Sequence, residues 1–189
     1  KNVDLSNLMD FVIVQDYFAN SSWGHNREVW RDNKNDNLWR WILVDMDRGF
    51  NSSRISTNQL SDIYNNFDLF RSLTNNTNFK NEFIQRYAHH LNHTFGNDRI
   101  QNIIDSLKLL IEPEMPRHIQ KWGEYIDSLT IDIWGQTSGV SSLTKWNSEI
   151  QKLKNFSSQR EVYAVQYLND RFNLSGRANL KISTNAENK

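Results

Sequence analysis

From Phe67 to Phe172 the apolar residues recur at helical spacing, and only one short region upstream reads as paired strands. This imbalance constrains the fold more than any other feature, because each amphipathic helix must bury one face and a lone hairpin cannot cover them all. Residues 67–73 predict a short helix, and residues 78–94 carry Phe79, Phe83, Ile84, Tyr87 and Leu91 on one stripe. A long helix is expected from Asp98 to about Lys121, with Ile100, Ile103, Ile104, Leu107, Leu110 and Ile111 inside. Pro113 and Pro116 predict a kink or break in it. A Gly/Ser/Thr-rich connection at 123–142 leads to two more helices, over 143–153 and 158–172. At the front, Leu5, Leu8, Met9, Val12, Ile13 and Tyr17 give residues 4–19 the same period, with Asp4 or Ser6 as the cap.

The strand-like stretches are 27–32 and 38–45, joined through Asn33-Lys34-Asn35-Asp36-Asn37. They predict a hairpin. The fold class is therefore mostly α with one small β-hairpin. With 189 residues the chain is long enough for one domain with a sizeable core. Lys+Arg and Asp+Glu balance at 22 each, which argues against a broad polyanion-binding surface and against nucleic acid as a partner. Without Cys there can be no disulfide, no thiolate nucleophile and no Cys-ligated zinc. No apolar run reaches the ~20 residues of a membrane-spanning helix.

The chemistry concentrates where the hairpin stops. In "WILVDMDRGF", residues 41–50, an apolar run read as a buried strand ends in Asp45 and Asp47, whose i, i+2 spacing puts both on one side. Two neighbouring carboxylates repel each other unless a cation or an arginine offsets the charge. With Asn26 and His25 in the preceding loop, they offer hard oxygen donors suited to Mg²⁺. Capping, or pairing with Arg48 and Arg54, is the plainer alternative. Two chemistries use such a pair. A haloacid-dehalogenase-type phosphatase uses Asp-x-Asp after an apolar strand, but its fold needs strands and helices alternating downstream, and these are absent. A protein-kinase-type site uses a loop Asn and a hairpin Asp to hold Mg²⁺ above a helical lobe, and the order of elements here matches it.

The stretch "YFANSSWGHNREVWRDNKNDNLWRWILVDMDRGF" resembles the kinase domain of spore coat protein H (CotH) and its bacterial surface-protein relatives. Those proteins read Trp-Pro-x-Asn after a helix and then Trp-x-Trp-x-x-x-Asp-x-Asp. The later segments "LFRSLTNNTNFKNEFIQRYAHHLNHTF", "IDSLKLLIEPEMPRHIQKWG" and "NLSGRANL" are similar to that family too. The resemblance implies the helical C-lobe of an atypical protein-kinase-like fold over residues 1–174, with 175–189 a linker or the start of a further β segment. It implies ATP and Mg²⁺ as cofactors and phosphoryl transfer to protein Ser/Thr. By residue, Asn26 and Asp45 match the nucleotide- and metal-holding positions, and Asp47 the second acidic metal position. Ser22 stands at the catalytic position where the family carries Asp. That substitution opens the alternative of a non-catalytic, pseudokinase-like scaffold or coat domain. No Gly-rich loop with a strand lysine is found, so the phosphate-covering lobe is expected upstream of Lys1. The family relationship also implies a bacterial, cell-surface or spore-coat location with coat or surface proteins as partners.

Outside this region, His89 and His93 share a helix at i, i+4 but lack a third ligand, which favours structural histidines. Glu112, Glu114, Arg117 and His118 predict a buried ion-pair knot beside the prolines.

Overall fold

The computed structural model describes residues 2–128 and 140–178. Seven α-helices and one hairpin make up the regular structure of those residues. Helix α1 (Leu5–Tyr17) is capped by Asp4, whose carboxylate accepts from the Asn7 N–H at 3.0 Å. Strands β1 (Val29–Arg31) and β2 (Trp39–Trp41) pair antiparallel, with Trp30 opposite Arg40. Val3 forms a single parallel bridge to Trp39 on the other edge of β2. Helices α2 (Gln59–Asn66), α3 (Asp68–Leu73), α4 (Thr77–Asn92), α5 (Asn97–Ile111), α6 (Met115–Ser128) and α7 (Leu143–Phe172) follow.

The core lies between α1, α2, α4 and α7. Leu8, Met9, Val12, Ile13, Tyr17, Leu60, Ile63, Phe70, Phe83 and Tyr87 are all fully buried there. Phe83 packs edge-on against Phe70 and Phe172, which ties α4 to α3 and to the end of α7. Burying one such side chain is worth about 1.5–3 kcal/mol, so this aromatic stripe, more than any ion pair, holds α4 in place.

A single polar group anchors the other side of the core. Arg160 of α7 is fully buried and donates to the carbonyls of Asp16 and Tyr17 at 2.7 and 2.8 Å. Its other Nη donates to the carbonyls of Ile55 and Thr57 at 2.7 and 2.8 Å. The Asp16 carboxylate lies 3.4 Å away and accepts from Tyr87 Oη at 2.6 Å. Burial pushes the Asp16 carboxyl up from its usual range, against the pull of Arg160 and of the Tyr87 hydroxyl. The cation also meets the carbonyl end of α1, where the helix dipole favours positive charge.

Several expectations are corrected. Residues 143–172 form one helix rather than two, because Ser157 and Ser158 bond back to the carbonyls of Lys154 and Asn155 and Phe156 between them is fully buried. Helix α2 is an element that the Asn-rich sequence around it concealed; Asn58 caps it by accepting from the Ser61 N–H. The run 42–44 is not a buried strand: β2 ends at Trp41, and Ile42 and Leu43 are exposed. On α5 only Ile100 and Ile104 are buried, and Leu107 and Leu110 are 57% and 75% exposed. Lys108–Glu112 and Arg117–Glu114 form surface pairs, not a buried knot. The break at the prolines is present, since a 3-10 turn over Glu112–Glu114 separates α5 from α6. Helix α6 takes up the start of the expected connection, and residues 129–139 lie outside the described residues, as do 179–189 of the expected β segment.

Two stability outcomes follow from the contrast between buried and surface charge. Arg160→Met strands the Asp16 carboxylate and four carbonyls, so urea unfolding should show a loss of about 3–5 kcal/mol. A loss below about 1 kcal/mol would mean the guanidinium does not clamp the core. Asp10 on α1 pairs with Arg86 at 2.5 and 2.6 Å and with His90 at 2.9 Å. Partial burial raises the Asp10 carboxyl, but the hydrogen bonds from Arg86 and His90 outweigh it and leave the net value lowered. A lowered carboxylate stabilises the fold above its unfolded pKa and loses that contribution as pH falls. Asp10→Asn should therefore cost no more than about 1 kcal/mol at neutral pH. The gap in urea midpoints to wild type should close as the pH is taken below 4.

Candidate functional site

Helix α1 ends in a Schellman motif: the Ala19 N–H donates to the Asp16 carbonyl at 2.9 Å and the Asn20 N–H to the Gln15 carbonyl at 3.1 Å. Ala19 takes the left-handed conformation (φ 49°) that glycine usually supplies at such a stop. Asn20 then makes an Asx turn, its Oδ1 accepting from the Ser22 N–H at 3.1 Å. This turn places Ser21 and Ser22 at the mouth of a cleft. Trp23 closes the loop from below, buried, its Nε1 donating to Asp62 of α2 at 2.6 Å. Arg27 lies over the rings of Trp23 and Phe67 and fixes the return to β1.

On the far side of the hairpin the chain turns sharply. Asp45 is left-handed (φ 52°, ψ 54°) and leads into a 3-10 turn over Met46–Arg48. Asp tolerates this region better than most residues do, but it is still an uncommon one. Gly49 is required by close approach, since a Cβ there would lie 3.1 Å from the Met46 carbonyl and 3.3 Å from Phe18 Cβ. Phe50 donates its N–H to the Phe18 carbonyl at 3.0 Å, and the two rings stack at 4.5 Å. The segment Asp45–Phe50 is thereby fastened to the end of α1.

Between these two turns lies a cleft of about 440 Å³ lined by Ser21, Ser22, His25, Asp45, Asp47 and Arg48. Asn26 adjoins it, its Nδ2 donating to Asp45 Oδ2 at 2.5 Å. All four residues singled out from the sequence are thus brought together: Ser22, Asp45 and Asp47 line the cleft, and Asn26 touches Asp45. They do not meet for the reason the sequence suggested. Strand alternation does not place Asp45 and Asp47; the left-handed residue and the following 3-10 turn do. Ser22 is 4% exposed, and its hydroxyl donates inward to Asn20 Oδ1 at 3.1 Å rather than out into the cleft.

The donor set fits magnesium. Asp45 and Asp47 supply carboxylate oxygens, and a half-turn of the Asn26 amide about its soft terminal torsion presents an oxygen to Asp45's side of the cleft. No group of three His, Cys, Asp or Glu is gathered among the described residues, so at the cleft the carboxylates of Asp45 and Asp47 are joined only by the Asn26 amide. The α4 histidines serve structure: His90 bonds Asp10 and stacks on Phe95, and His89 and His93 face each other at 4.7 Å. No helix of the described residues is long and apolar enough to cross a membrane.

The family described as CotH kinase protein matches residues 1–164. The chain belongs to that family. The match covers α1, the hairpin, the cleft and α7 as far as the turn after Arg160, so every element that builds the site lies within it. No curated protein matched the chain, and no solved structure did. In this CotH-family chain the residues that sequence reasoning passed over are Asn20, Gln15 and Gly49. Asn20-Ser21-Ser22 is the sequence signal of the Asx turn that starts this loop.

Gly49→Ala tests the fastening of the Asp45–Phe50 segment. The added methyl meets backbone on two sides and has no flexible side chain to displace, so unfolding should show a loss of about 1–3 kcal/mol. An unchanged urea midpoint would mean that the segment can lift from Phe18 freely.

Proposed function

We propose that this chain is the helical lobe of a CotH-type protein kinase, taking ATP with Mg²⁺ at the cleft and directing phosphate to Ser/Thr hydroxyls of a protein. The observation that carries this reading is the meeting of Asn26 and Asp45 at the mouth of the cleft, with Asp47 beside them. Bound there, the metal would neutralise charge on the transferring phosphate. Asn26 and Asp45 hold it, and Asp47 supplies the second acidic position. Arg48 on the cleft wall adds positive charge toward the phosphates. Residues 1–174 form the helical lobe in this reading, and coat or cell-surface proteins of a bacterium are its partners.

Ser22 occupies the position that orients the acceptor hydroxyl. A serine cannot take up a proton there at neutral pH, and this one spends its own hydrogen on Asn20. That contact supports a second reading, in which the chain keeps the fold but not turnover and serves as a scaffold. The two separate by experiment. A positioned acid–base group contributes typically ~10²–10⁴-fold. Wild type should therefore bind Mg²⁺–ATP but transfer radiolabelled phosphate weakly, and Ser22→Asp should raise turnover while leaving nucleotide affinity within a few-fold. Asp45→Ala should abolish the metal-dependent part of binding. Strong wild-type transfer that Ser22→Asp does not improve would place the base elsewhere, with Asp47 and His25 on the cleft wall as the candidates. Absence of nucleotide binding in every form would leave the scaffold reading.

A further inference from the structure

Directly beneath Asp45 lies a buried polar chain that the phosphotransfer reading does not use. Gln15 and Asn20 are fully buried and Ser22 nearly so. Their orientation is forced from one end. The Ser22 N–H can only donate, so Asn20 must turn Oδ1 toward it, and the Ser22 hydroxyl donates to the same oxygen at 3.1 Å. Asn20 Nδ2 therefore points the other way. It donates to Gln15 Oε1 at 2.9 Å and reaches the Asp45 carbonyl at 3.4 Å and Met46 Sδ at 3.5 Å. Ser22 Oγ approaches the same Asp45 carbonyl at 3.5 Å. Gln15 keeps its oxygen on Asn20 although its Nε2 then has no partner.

The Asp45 carbonyl is thus drawn inward, toward Asn20 and Ser22. In the left-handed conformation this leaves the carboxylate on the opposite side, against Asn26 at the cleft. An extended Asp45 would turn its carbonyl away from Asn20 and carry the carboxylate off Asn26. We infer that Asn20 is a positioning residue: by holding the Asp45 backbone in the left-handed state, it aims the metal-holding carboxylate into the cleft. This role rests on the reading of Asp45 as the metal-holding aspartate, but its conformational part stands without any metal. It also gives the inward turn of Ser22 a purpose, since Ser22 shares the same acceptor and steadies the Asn20 amide.

The test uses Asn20→Asp, which keeps an oxygen for the Ser22 N–H and, in its ionised form, replaces the donor facing Gln15 and Asp45 with a charged acceptor oxygen. The three-bond amide–Hα coupling of Asp45, read by NMR without metal, should shift from its left-handed value toward that of an extended residue. Mg²⁺ affinity, read by calorimetry, should fall ~10–100-fold, as for other residues that orient a ligand from behind. Asp45→Ala should remove Mg²⁺ binding altogether. Wild type gives a second readout that needs no variant to fold: the Asn20 side-chain amide resonances should shift along the same Mg²⁺ titration as Asp45. An Asp45 coupling unchanged in a folded Asn20→Asp protein overturns the inference. So do Asn20 amide resonances that stay still while Mg²⁺ saturates Asp45. If wild type takes up no Mg²⁺, the metal reading fails on its own, and the Asp45 coupling still decides the role of Asn20.

Discussion

One guanidinium closes the base of the whole functional region. Arg160 donates to carbonyls on either side of the segment that carries the hairpin and the cleft: Asp16 and Tyr17 where α1 ends, and Ile55 and Thr57 after a 3-10 turn over Ser52–Arg54. The chain between starts and ends at this one side chain, with Ala19, Asn20, Ser22 and Trp23 buried within it. Burying a guanidinium costs several kcal/mol, and the cost is met only because a carboxylate and four carbonyls saturate its donors. Arg54 reinforces the same closure, bonding the Ala19 carbonyl at 3.0 Å and Gln59 at 2.8 Å.

From that clamp the geometry of the site follows outward. With Asp16 and Tyr17 fixed, the Schellman stop of α1 is fixed, and with it the direction in which Asn20 and Ser22 leave the helix. Phe18 then receives Gly49 and Phe50 from the far side of the hairpin. The hairpin itself is a short, largely exposed excursion whose strands show three residues each. It brings Asn26 and Asp45 together at its open end, and the packing beneath it decides where they point. A site built this way is fastened to the core at Phe18 and open at the cleft.

Membership of the CotH family and the presence of Ser22 pull in different directions on activity. In the proposed reading Asn26, Asp45 and Asp47 are residue types suited to hold a metal, whereas Ser22 stands where a carboxylate would handle the acceptor hydroxyl. Ser22 has instead joined the buried Gln15–Asn20 chain. On that reading, metal and nucleotide binding would not depend on the efficiency of transfer.

The sequence by itself determined the helical class, the lone hairpin, the break at Pro113 and the residues that gather at the cleft. Each of these is a local property: a period of apolar residues, a missing N–H, or a spacing of polar groups along a few residues. It went wrong where long-range packing overrode local pattern. Residues 154–157 read as a gap between two helices, but burial of Phe156 keeps α7 whole. The stripe on α5 looked wholly internal, yet neighbouring elements cover only its Ile100–Ile104 side. The Ile42–Val44 run looked like a buried strand and ends as an exposed turn. Only the tertiary structure decided that Arg160, far along the chain, closes the segment, and that Asp45 is left-handed. Both depend on partners brought together by folding, Asp16 and Ile55 for one and Asn20 for the other, and no spacing along the sequence encodes contacts between groups that meet only in the folded core.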